Sequence, residues 1–392
     1  MHSQIFIWFH NRRDGLLEMT SRKIFNRIFR LIFLCSYYLY WQDGDCYCYN
    51  YFATALTDTV LITGSTDGIG VTTARNILYK HNVLIHGRDE DRIRIAADSL
   101  RNNNNNNNNS SSSSNNIRSM KKGSVTSTAT TTTTTEKNLV VPLPAADLST
   151  IKGCYDLARE VKECCNSSTG DGMNLKILVN NAGIYSNRLI RTPDGLESTF
   201  AVNVLAPFIL SSMLLSTLLA NGSNDKNSNN NNNNRSRIVI ASSVSQSWKL
   251  PKDYWDDPQY VQRLYSAHGA YSESKLLVAM LTMEMAHRLD KLTSIVTCNC
   301  LDPGTVNTKM LIDGWGPIGI GVNDALDESW CCQSSELEGI SGQYFVSRTS
   351  RKASSDAYDT IQRDKLWRTL SELAPKAAAE WDRAVSMYSS EA

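Results

Sequence analysis

The chain has 392 residues, and its 40 Lys and Arg side chains nearly balance 39 Asp and Glu side chains, leaving a formal net charge of +1. Hydrophobic residues make up 41% of the chain, enough for the sizeable core of a globular protein. The charge balance excludes a strongly basic nucleic-acid-binding protein, so no nucleic-acid partner is expected. The ten cysteines include no C-x-x-C pair, which favours reduced thiols and predicts no metal site.

The first 55 residues differ in composition from the rest of the chain. Several arginines precede an uncharged stretch, Leu31 to Gln42, that is shorter than the roughly 20 apolar residues of a membrane span. Residues 24–42 are therefore a candidate contact with a membrane surface, and a signal-peptide core or a poorly ordered leader are the alternatives. The compartment stays open between a membrane-associated location, in the reticulum or another organelle, and the cytoplasm.

Short apolar runs alternate with helical patterns from residue 56 to residue 375, and we interpret this range as one domain followed by a tail, 376–392. The predicted strands are Thr59–Ile62, Val83–Ile85, Leu139–Val141, Lys176–Val179, Arg237–Ala241, Ser294–Asn299 and Gln343–Val346. The predicted helices include Ile69–Lys80, Thr150–Cys165, Glu197–Leu219 and Tyr271–Leu289. This alternation predicts an α/β fold with a doubly wound parallel sheet of about seven strands and helices on both faces.

The turn after the first strand contains three glycines, which allow a tight turn and a close approach of the backbone to a diphosphate. The helix that follows points its N-terminus at such an anion. Its position between a strand and a helix favours a dinucleotide site, with a purely structural turn as the alternative. The candidate cofactor contacts in this turn are Thr63, Gly64, Ser65, Asp67, Gly68, Ile69 and Gly70.

The end of the second strand bears on the choice of dinucleotide. A site specific for NAD usually places an acidic residue there, but this chain has His86 or Gly87, followed by Arg88. Because a guanidinium suits a 2′-phosphate, Arg88 favours NADP(H) over NAD(H). Asp89 and Glu90 follow closely and could reverse this preference.

Two low-complexity inserts, 102–135 and 222–234, are rich in Asn, Ser and Thr. Polar tracts of this kind lack the apolar surface that offsets the entropy of ordering, so we expect them not to pack. Both follow a helix and precede a strand, as does residue range 166–173. We therefore expect all three at the amino ends of the strands, on the face opposite a ligand site.

Further polar motifs follow the later strands in chain order. Asp147 and Leu148 follow the third strand, and Asn180-Asn181-Ala182-Gly183 ends the fourth. The remaining motifs are Asn203, the pair Ser242-Ser243, Tyr271-Ser272-Glu273-Ser274-Lys275, and Pro303-Gly304-Thr305-Val306-Asn307-Thr308. Taken singly, such residues are most often caps, turn formers or exposed pairs.

Together and in this order, the motifs resemble those of the short-chain dehydrogenase/reductase family over about residues 58–375. The wide spacing from Ser243 to Tyr271 and the segment Gly342–Val346 resemble the retinol-dehydrogenase-like branch. The resemblance implies a single-domain Rossmann fold that moves a hydride between a nicotinamide and a carbonyl or alcohol. It also leaves a homo-oligomer open, because related proteins often form dimers or tetramers.

The resemblance assigns a catalytic tetrad of Tyr271, Lys275, Ser243 and Asn203. Tyr271 exchanges a proton with the substrate oxygen, and the ammonium of Lys275, one helical turn away, is expected to lower the phenol pKa. Ser243 stabilises the developing charge, and Asn203 anchors a water that relays protons to the lysine. Because side chains alternate along a strand, Ser242 faces away from the site. The implied cofactor contacts are Asp147, Leu148, Asn180, Ala182, Gly183, Tyr271, Lys275, Pro303, Gly304, Val306 and Thr308.

Two long loops after strands, Val244–Gly269 and Lys309–Glu336, are rich in apolar residues. They predict a small apolar carbonyl or alcohol substrate, such as a retinoid-, lipid- or steroid-like compound. One alternative is a cofactor-binding scaffold that has lost catalysis, although Tyr271 and Lys275 are both intact. Another is a reductase of a large pigment such as protochlorophyllide, for which no specific signature is present.

Overall fold

A computed structural model describes residues 58–113, 138–166, 172–223, 235–292 and 295–389 of the chain. The predicted leader, residues 1–55, lies outside the described residues, and so does the candidate membrane contact at 24–42. The strands are β1 Asp58–Ile62, β2 Asn82–Ile85, β3 Val140–Pro142, β4 Asn174–Asn180, β5 Ser236–Ala241, β6 Val296–Asp302, β7 Tyr344–Val346 and β8 Thr349–Arg351.

Ten α-helices are present in the described part of the chain, and two of them are joined by a π-helical turn, Ala201–Leu205. The α-helices are α1 Gly68–Ile77, α2 Glu90–Ser113, α3 Ile151–Cys165, α4 Ser198–Phe200, α5 Ala206–Ser223, α6 Ala267–Arg288, α7 Lys309–Trp315, α8 Asp327–Gln333, α9 Thr360–Leu373 and α10 Pro375–Ser389. Short 3-10 turns occur at Tyr254–Asp256, Asp290–Leu292, Val322–Asp324, Ser335–Leu337 and Ser355–Tyr358.

The strands form one sheet in the order β3-β2-β1-β4-β5-β6-β7-β8, parallel except for the last pair. The predicted doubly wound fold is confirmed, because the order reverses between β1 and β4 and helices cover both faces. Along β1, Leu61 packs into one apolar core, while Val60 and Ile62 pack into the core on the other face. This alternation explains why the strands appear in the sequence as continuous apolar runs.

The eighth strand was not predicted from the sequence. Thr349–Arg351 is polar and exposed, and it pairs antiparallel with β7 through a tight turn in which Ser347 and Arg348 both have positive φ, 47° and 60°. Such turns usually carry Asn or Gly, and this one lacks that signal.

The apolar stretch Ser198–Gly222 is the one helix in the described part of the chain that could span a membrane by length and composition. In the structure, 83% of an apolar 18-residue stretch of this helix is buried between the sheet and other helices, so it is a core helix. Part of that cover comes from α10, whose Trp381 side chain is fully buried. The expected tail, 376–392, is therefore part of the packed domain as far as Ser389, because α10 has an apolar face.

Most residues of the three predicted inserts lie outside the described residues. Residues 114–137, 167–171 and 224–234 are not described, and their described flanks adjoin the amino ends of β3, β4 and β5. The backbone of α2 continues to Ser113, so the first part of the insert 102–135 extends a helix instead of starting a loop. Each residue added to an existing helix gains one backbone hydrogen bond, which explains the extension.

Candidate active site

A cleft of about 900 Å³ lies at the carboxyl ends of the central strands, around the point where the strand order reverses. Most of the predicted site residues line it. These are Gly64, Asp67, Gly68, Ile69, Arg88, Asp147, Leu148, Ala182, Gly183, Ser243, Tyr271, Lys275, Pro303, Gly304, Val306 and Thr308. Five predicted site residues do not: Thr63, Ser65, Gly70, Asn180 and Asn203.

The glycine turn has the shape that a close approach to a diphosphate requires. Gly64 and Gly68 have positive φ values of 65° and 60°, which other residues rarely adopt. A Cβ on Gly70 would lie 2.5 Å from Asn181 Nδ2 and 2.6 Å from the Gly64 carbonyl oxygen. Gly70 therefore allows the helix to pack on the turn, and α1 directs its N-terminus into the cleft.

The side chains of Thr63 and Ser65 anchor the glycine turn to the sheet instead of lining the cleft. The Thr63 hydroxyl donates to the Val179 carbonyl oxygen and accepts from the Ala182 amide, at 3.2 and 3.0 Å. Ser65 Oγ donates to the Ile62 carbonyl oxygen at 2.9 Å. Both side chains are buried, so these residues connect the turn to the sheet.

The fourth strand ends in two asparagines, and the structure corrects which one faces the cleft. Asn180 points to the core, where its Nδ2 donates to Ser211 Oγ at 3.2 Å. Asn181 lines the cleft, and its Nδ2 donates to the carbonyl oxygens of Thr63 and Gly64, at 2.8 and 3.2 Å. The Asn180 side chain therefore lies outside the cleft, because alternate side chains of a strand face opposite ways.

His86 supports the glycine turn from the end of β2. Its Nδ1 accepts from the Gly64 amide at 3.1 Å, so Nε2 carries the proton toward the Ala146 carbonyl oxygen, 3.1 Å away. Burial lowers the pKa of His86 to about 4, so the ring is neutral. A Cβ on Gly87 would lie 2.7 Å from Thr66 Cγ2, so a side chain has no room at this position, and Arg88 lines the cleft directly after it.

The two acidic residues that follow Arg88 accept hydrogen bonds from backbone amides outside the cleft. Asp89 Oδ1 accepts from the Arg92 amide at 2.9 Å, and Glu90 Oε1 accepts from the Ala145 amide at 2.7 Å. Neither lines the cleft, whereas Arg88 and Arg92 both do. The charged side chains that the residues after β2 bring into the cleft are therefore two guanidinium groups, of which Arg92 pairs with Asp67.

Asp67 joins the glycine turn to the loop after β6. It caps α1 by accepting from the Gly68 amide at 2.8 Å, and it pairs with Lys309 at 2.6 Å and Arg92 at 3.1 Å. The hydrogen bond from Lys309 holds the pKa of Asp67 below its usual value. In the segment after β3, Asp147 Oδ1 accepts from the Ser149 amide at 2.9 Å, and Leu148 forms a buried part of the cleft wall.

Ser243 and Tyr271 meet at the centre of the cleft. The Ser243 hydroxyl lies near enough to the Tyr271 phenol to lower its pKa, and Ser243 Oγ accepts from the Ser245 amide at 3.0 Å. Ser242 points the other way and donates to the Lys275 carbonyl oxygen at 2.9 Å. The structure therefore brings Ser243, and not Ser242, to the tyrosine, in agreement with the expected alternation.

Lys275 reaches past the tyrosine to the end of β5. Its Nζ lies 5.5 Å from the centre of the Tyr271 ring and donates to the Ala241 carbonyl oxygen at 2.8 Å. Burial lowers the pKa of Lys275 to about 8 and raises the pKa of Tyr271 to about 12. The expected lowering of the tyrosine pKa is not present in this arrangement, because desolvation of the phenolate outweighs the hydrogen bond from Ser243.

Asn203 lies in the π-helical turn, just behind the cleft. Its Oδ1 accepts from the Ile184 amide at 2.8 Å, and its Nδ2 donates to the Ile184 carbonyl oxygen at 3.0 Å and to Ser274 Oγ at 2.9 Å. A Cβ on Gly183 would lie 3.3 Å from Asn203 Oδ1 and 3.5 Å from Lys275 Nζ. Gly183 thus leaves open the space between the asparagine and the lysine. Such π-helical turns are frequent at functional sites.

The loop after β6 forms the opposite wall. Gly304 has a φ of 92°, and Val306 pairs with Ile320 across a bridge. Thr308 caps α7 by accepting from the Leu311 amide at 3.3 Å, and its methyl group lies next to Gly68. The predicted residues Pro303, Gly304, Val306 and Thr308 are therefore brought opposite the glycine turn.

A cluster of aromatic rings surrounds the tyrosine and was not predicted. The centres of the Tyr185 and Trp315 rings lie 5.9 and 5.5 Å from that of Tyr271, and 4.8 Å from each other. His268 packs on Trp315 at 4.9 Å. These rings come from three different loops or helices, and nothing in their sequence spacing indicates that they meet.

Several proteins of known name are similar to this chain, although no family model matches it. A polyprenol dehydrogenase from Danio rerio is 31% identical over 221 residues, which cover 53% of this chain and 64% of that protein. Retinol dehydrogenase 14 from Homo sapiens is 29% identical over 324 residues, with 79% and 84% covered. The chloroplastic short-chain dehydrogenase TIC 32 B from Brassica napus is 26% identical over 238 residues, with 56% and 68% covered.

Among solved structures, an uncharacterised protein from Mycobacterium paratuberculosis superimposes with a TM-score of 0.52. It is 20% identical in sequence, and the match covers 82% of this chain and 95% of that one. At this level of identity the likeness shows the fold alone, which is the doubly wound sheet described above.

Proposed function

From the premise that this chain belongs to the short-chain dehydrogenase/reductase family, we propose that it uses NADP(H) to interconvert an apolar, isoprenoid-type alcohol and its carbonyl compound. Activity as an NAD(P)-dependent oxidoreductase follows from its relatives. This finer proposal rests on one observation. Tyr271, Ser243 and Lys275 lie together in a cleft, and the glycine turn at its edge leaves room for a diphosphate.

The described residues fit a nicotinamide dinucleotide. The turn directs the N-terminus of α1 into the cleft, where Ile69 follows the capped Gly68, and a side chain at Gly64 would meet the backbone of Ala182 at 3.1 Å. Asp147 and Leu148 would border the adenine, and Pro303 and Thr308 the nicotinamide. When bound, the nicotinamide would supply or accept the hydride.

The proposed proton chemistry rests on Tyr271. During reduction, its phenol would donate a proton to the substrate oxygen while the carbonyl carbon gains the hydride; oxidation would reverse both transfers. A phenol whose pKa burial raises to about 12 is protonated at neutral pH, which is the form that can donate. The Ser243 hydroxyl would hydrogen-bond the same oxygen and stabilise its developing charge.

Lys275 and Asn203 would return the proton that the tyrosine loses. A water in the space beside Gly183 could bridge Asn203 Oδ1 and Lys275 Nζ, because that glycine leaves the space open. With the pKa of Lys275 lowered to about 8, its ammonium can release and regain a proton near neutral pH. All four members of the proposed tetrad would then have a task.

The preference for NADP(H) is supported by the charge at the end of β2. Arg88 and Arg92 line the cleft there, while Asp89 and Glu90 bind backbone amides outside it. A guanidinium would pair with a 2′-phosphate, whereas the 2′-hydroxyl of NAD(H) gains nothing from it.

We expect Arg88→Ala to weaken NADP⁺ binding about 10–100-fold and to leave NAD⁺ binding unchanged, because one charge-assisted contact is lost. Titration calorimetry with each dinucleotide measures this directly. Arg94→Ala is the matched control, since Arg94 lies six residues further on, in α2, and outside the cleft. Equal losses for both dinucleotides, or no loss for either, would contradict the proposed role of Arg88.

The apolar character of the substrate is supported by the outer part of the cleft. Ile190, Ile312 and Ile318 line it and are 42%, 46% and 68% exposed, and Tyr185 and Trp315 pack beside the tyrosine. Large exposed apolar side chains around an opening indicate contact with an apolar molecule. Retinol and polyprenol, which name two of the relatives, are both isoprenoid alcohols.

The substrate test uses isoprenoid alcohols of increasing length together with short polar alcohols. With NADP⁺, we expect kcat/KM to rise about tenfold from a five-carbon to a fifteen-carbon alcohol, because each buried methylene adds to binding. Ile318→Ser should reduce that rise, and Ile361→Ser, on the exposed side of α9, should not. Faster turnover of short polar alcohols would reject the isoprenoid substrate.

A further inference from the structure

Asp302, the last residue of β6, is an acid in the cleft that no motif indicated. Its side chain is 6% exposed, and each carboxylate oxygen accepts a backbone hydrogen bond. Oδ1 accepts from the Val244 amide at 2.9 Å, and Oδ2 accepts from the Gly304 amide at 3.1 Å. Two N–H donors, one on each oxygen, match the ionised carboxylate.

The two amides belong to different walls of the site. Val244 directly follows Ser243, whose hydroxyl lies beside the Tyr271 phenol. Gly304 follows Pro303 in the turn with positive φ that faces the glycine loop. Asp302 therefore links the loop that positions the serine hydroxyl to the loop proposed to hold the nicotinamide.

The carboxylate also lies within electrostatic range of both proton-transfer groups. Its negative charge raises the pKa of Tyr271 and opposes the effect of burial on the pKa of Lys275. Burial raises the pKa of Asp302 itself, and the two amides oppose that rise. The other titratable groups around these residues are Asp327 and Glu328 on α8, Tyr344 on β7 and Cys300 on β6.

We infer that Asp302 is a positioning residue: its carboxylate sets the distance between the Ser243 loop and the Pro303–Gly304 turn and places a fixed negative charge beside Tyr271 and Lys275. This inference rests on the proposed function for its chemistry, but its geometry is independent of the substrate. It predicts that changing the charge and changing the length of this side chain have separable effects.

The first test is Asp302→Asn, which keeps the shape but removes the charge and one of the two acceptors. Because an apposed amide N–H cannot bond to the new NH₂ group, one of the loops shifts, and we expect kcat to fall about 100-fold. Removing the charge lowers the pKa of Tyr271. The midpoint of the acid limb of kcat/KM for alcohol oxidation, where the phenol must lose its proton, should therefore fall by about one pH unit.

A second variant, Asp302→Glu, separates the two effects and serves if the first does not fold. It keeps the charge but displaces the carboxylate by one methylene. We expect kcat to be lower than in wild type, while the midpoint of the acid limb of kcat/KM stays at its wild-type pH. A wild-type kcat, or a midpoint as low as that expected for Asp302→Asn, would overturn the inference.

Asn299 provides the matched control on the same strand. It is also 6% exposed and bridges two backbone groups, accepting from the Gln343 amide at 2.9 Å and donating to the Ile340 carbonyl oxygen at 2.6 Å. These contacts lie outside the cleft. Asn299→Ala should lower thermal stability and leave the pH midpoint where it is; a shifted midpoint would show that the effect is only structural.

A readout without turnover distinguishes failure of this inference from failure of the proposed function. Phenolate absorbance is titrated in wild type and in Asp302→Asn, and each curve is corrected by the same protein carrying Tyr271→Phe. A lower phenol pKa in Asp302→Asn supports the inference even if no alcohol is oxidised, a result that would reject only the proposed function. Superimposed curves would overturn the inference even in an active enzyme.

Discussion

Tyr271→Phe is expected to lower turnover about 1,000-fold, which is the typical contribution of a positioned acid or base. The phenol lies beside Ser243 in the cleft, and the ring itself packs on Tyr185 and Trp315. Phenylalanine keeps the ring and its packing, so NADP⁺ affinity should stay within about threefold of wild type. Steady-state turnover and titration calorimetry on the same preparation measure both quantities.

Tyr185→Phe is the control for this experiment, because it removes one hydroxyl from a ring 5.9 Å away in the same aromatic cluster. We expect it to change turnover by less than about threefold, since its hydroxyl faces His268 at 3.4 Å. Comparable losses in both variants would show that the cluster acts through packing. Retention of activity in Tyr271→Phe would reject the tyrosine as the proton donor.

The second large effect distinguishes two adjacent serines. Ser243→Ala is expected to lower turnover about 100-fold or more, because it removes the hydroxyl proposed to stabilise charge on the substrate oxygen. Ser242→Ala removes only a buried hydrogen bond to the Lys275 carbonyl oxygen, which contributes about 1 kcal/mol to stability. Initial rates and thermal unfolding of both variants provide the comparison.

The two serine variants should respond in opposite ways. Ser243→Ala should unfold close to the wild-type temperature and turn over slowly, whereas Ser242→Ala should unfold at a lower temperature and lose less than about tenfold in rate. The reverse pattern would place Ser242 in the site and would contradict the strand register in which Ala241 pairs with Leu301.

Much of the fold was predictable because its signals are local. Apolar runs mark seven of the eight strands, and the glycines at 64, 68 and 70 mark the turn at the first strand end. β8 was missed because it is short, polar and exposed, and α10 was taken for a tail because its apolar face is sparse. Both elements are stabilised by what they pack against, which their own residues do not show.

Within the site, alternation along a strand correctly separated Ser242 from Ser243, but the same rule was not applied to Asn180 and Asn181. Asn181 faces the cleft because it follows the last residue of β4, where Asn180 points to the core. The pKa of Tyr271 was also misjudged. The charge of a lysine one turn away is visible in the sequence, whereas the depth of burial that opposes it is not.

The alternation of strands with helices and the glycine turn after the first strand were determined by the sequence itself, because each depends on neighbours a few residues apart. The catalytic roles of Tyr271, Ser243 and Lys275 were implied by the family resemblance and stay predictions. Only the tertiary structure decided that Asp302 bridges two loops, that Tyr185 and Trp315 enclose Tyr271, and that α10 covers the apolar helix Ala206–Ser223. These contacts join residues far apart in the chain. These contacts depend on how side chains pack, how deeply they are buried and which backbone groups still lack a hydrogen-bond partner. All three are defined only once the chain has folded.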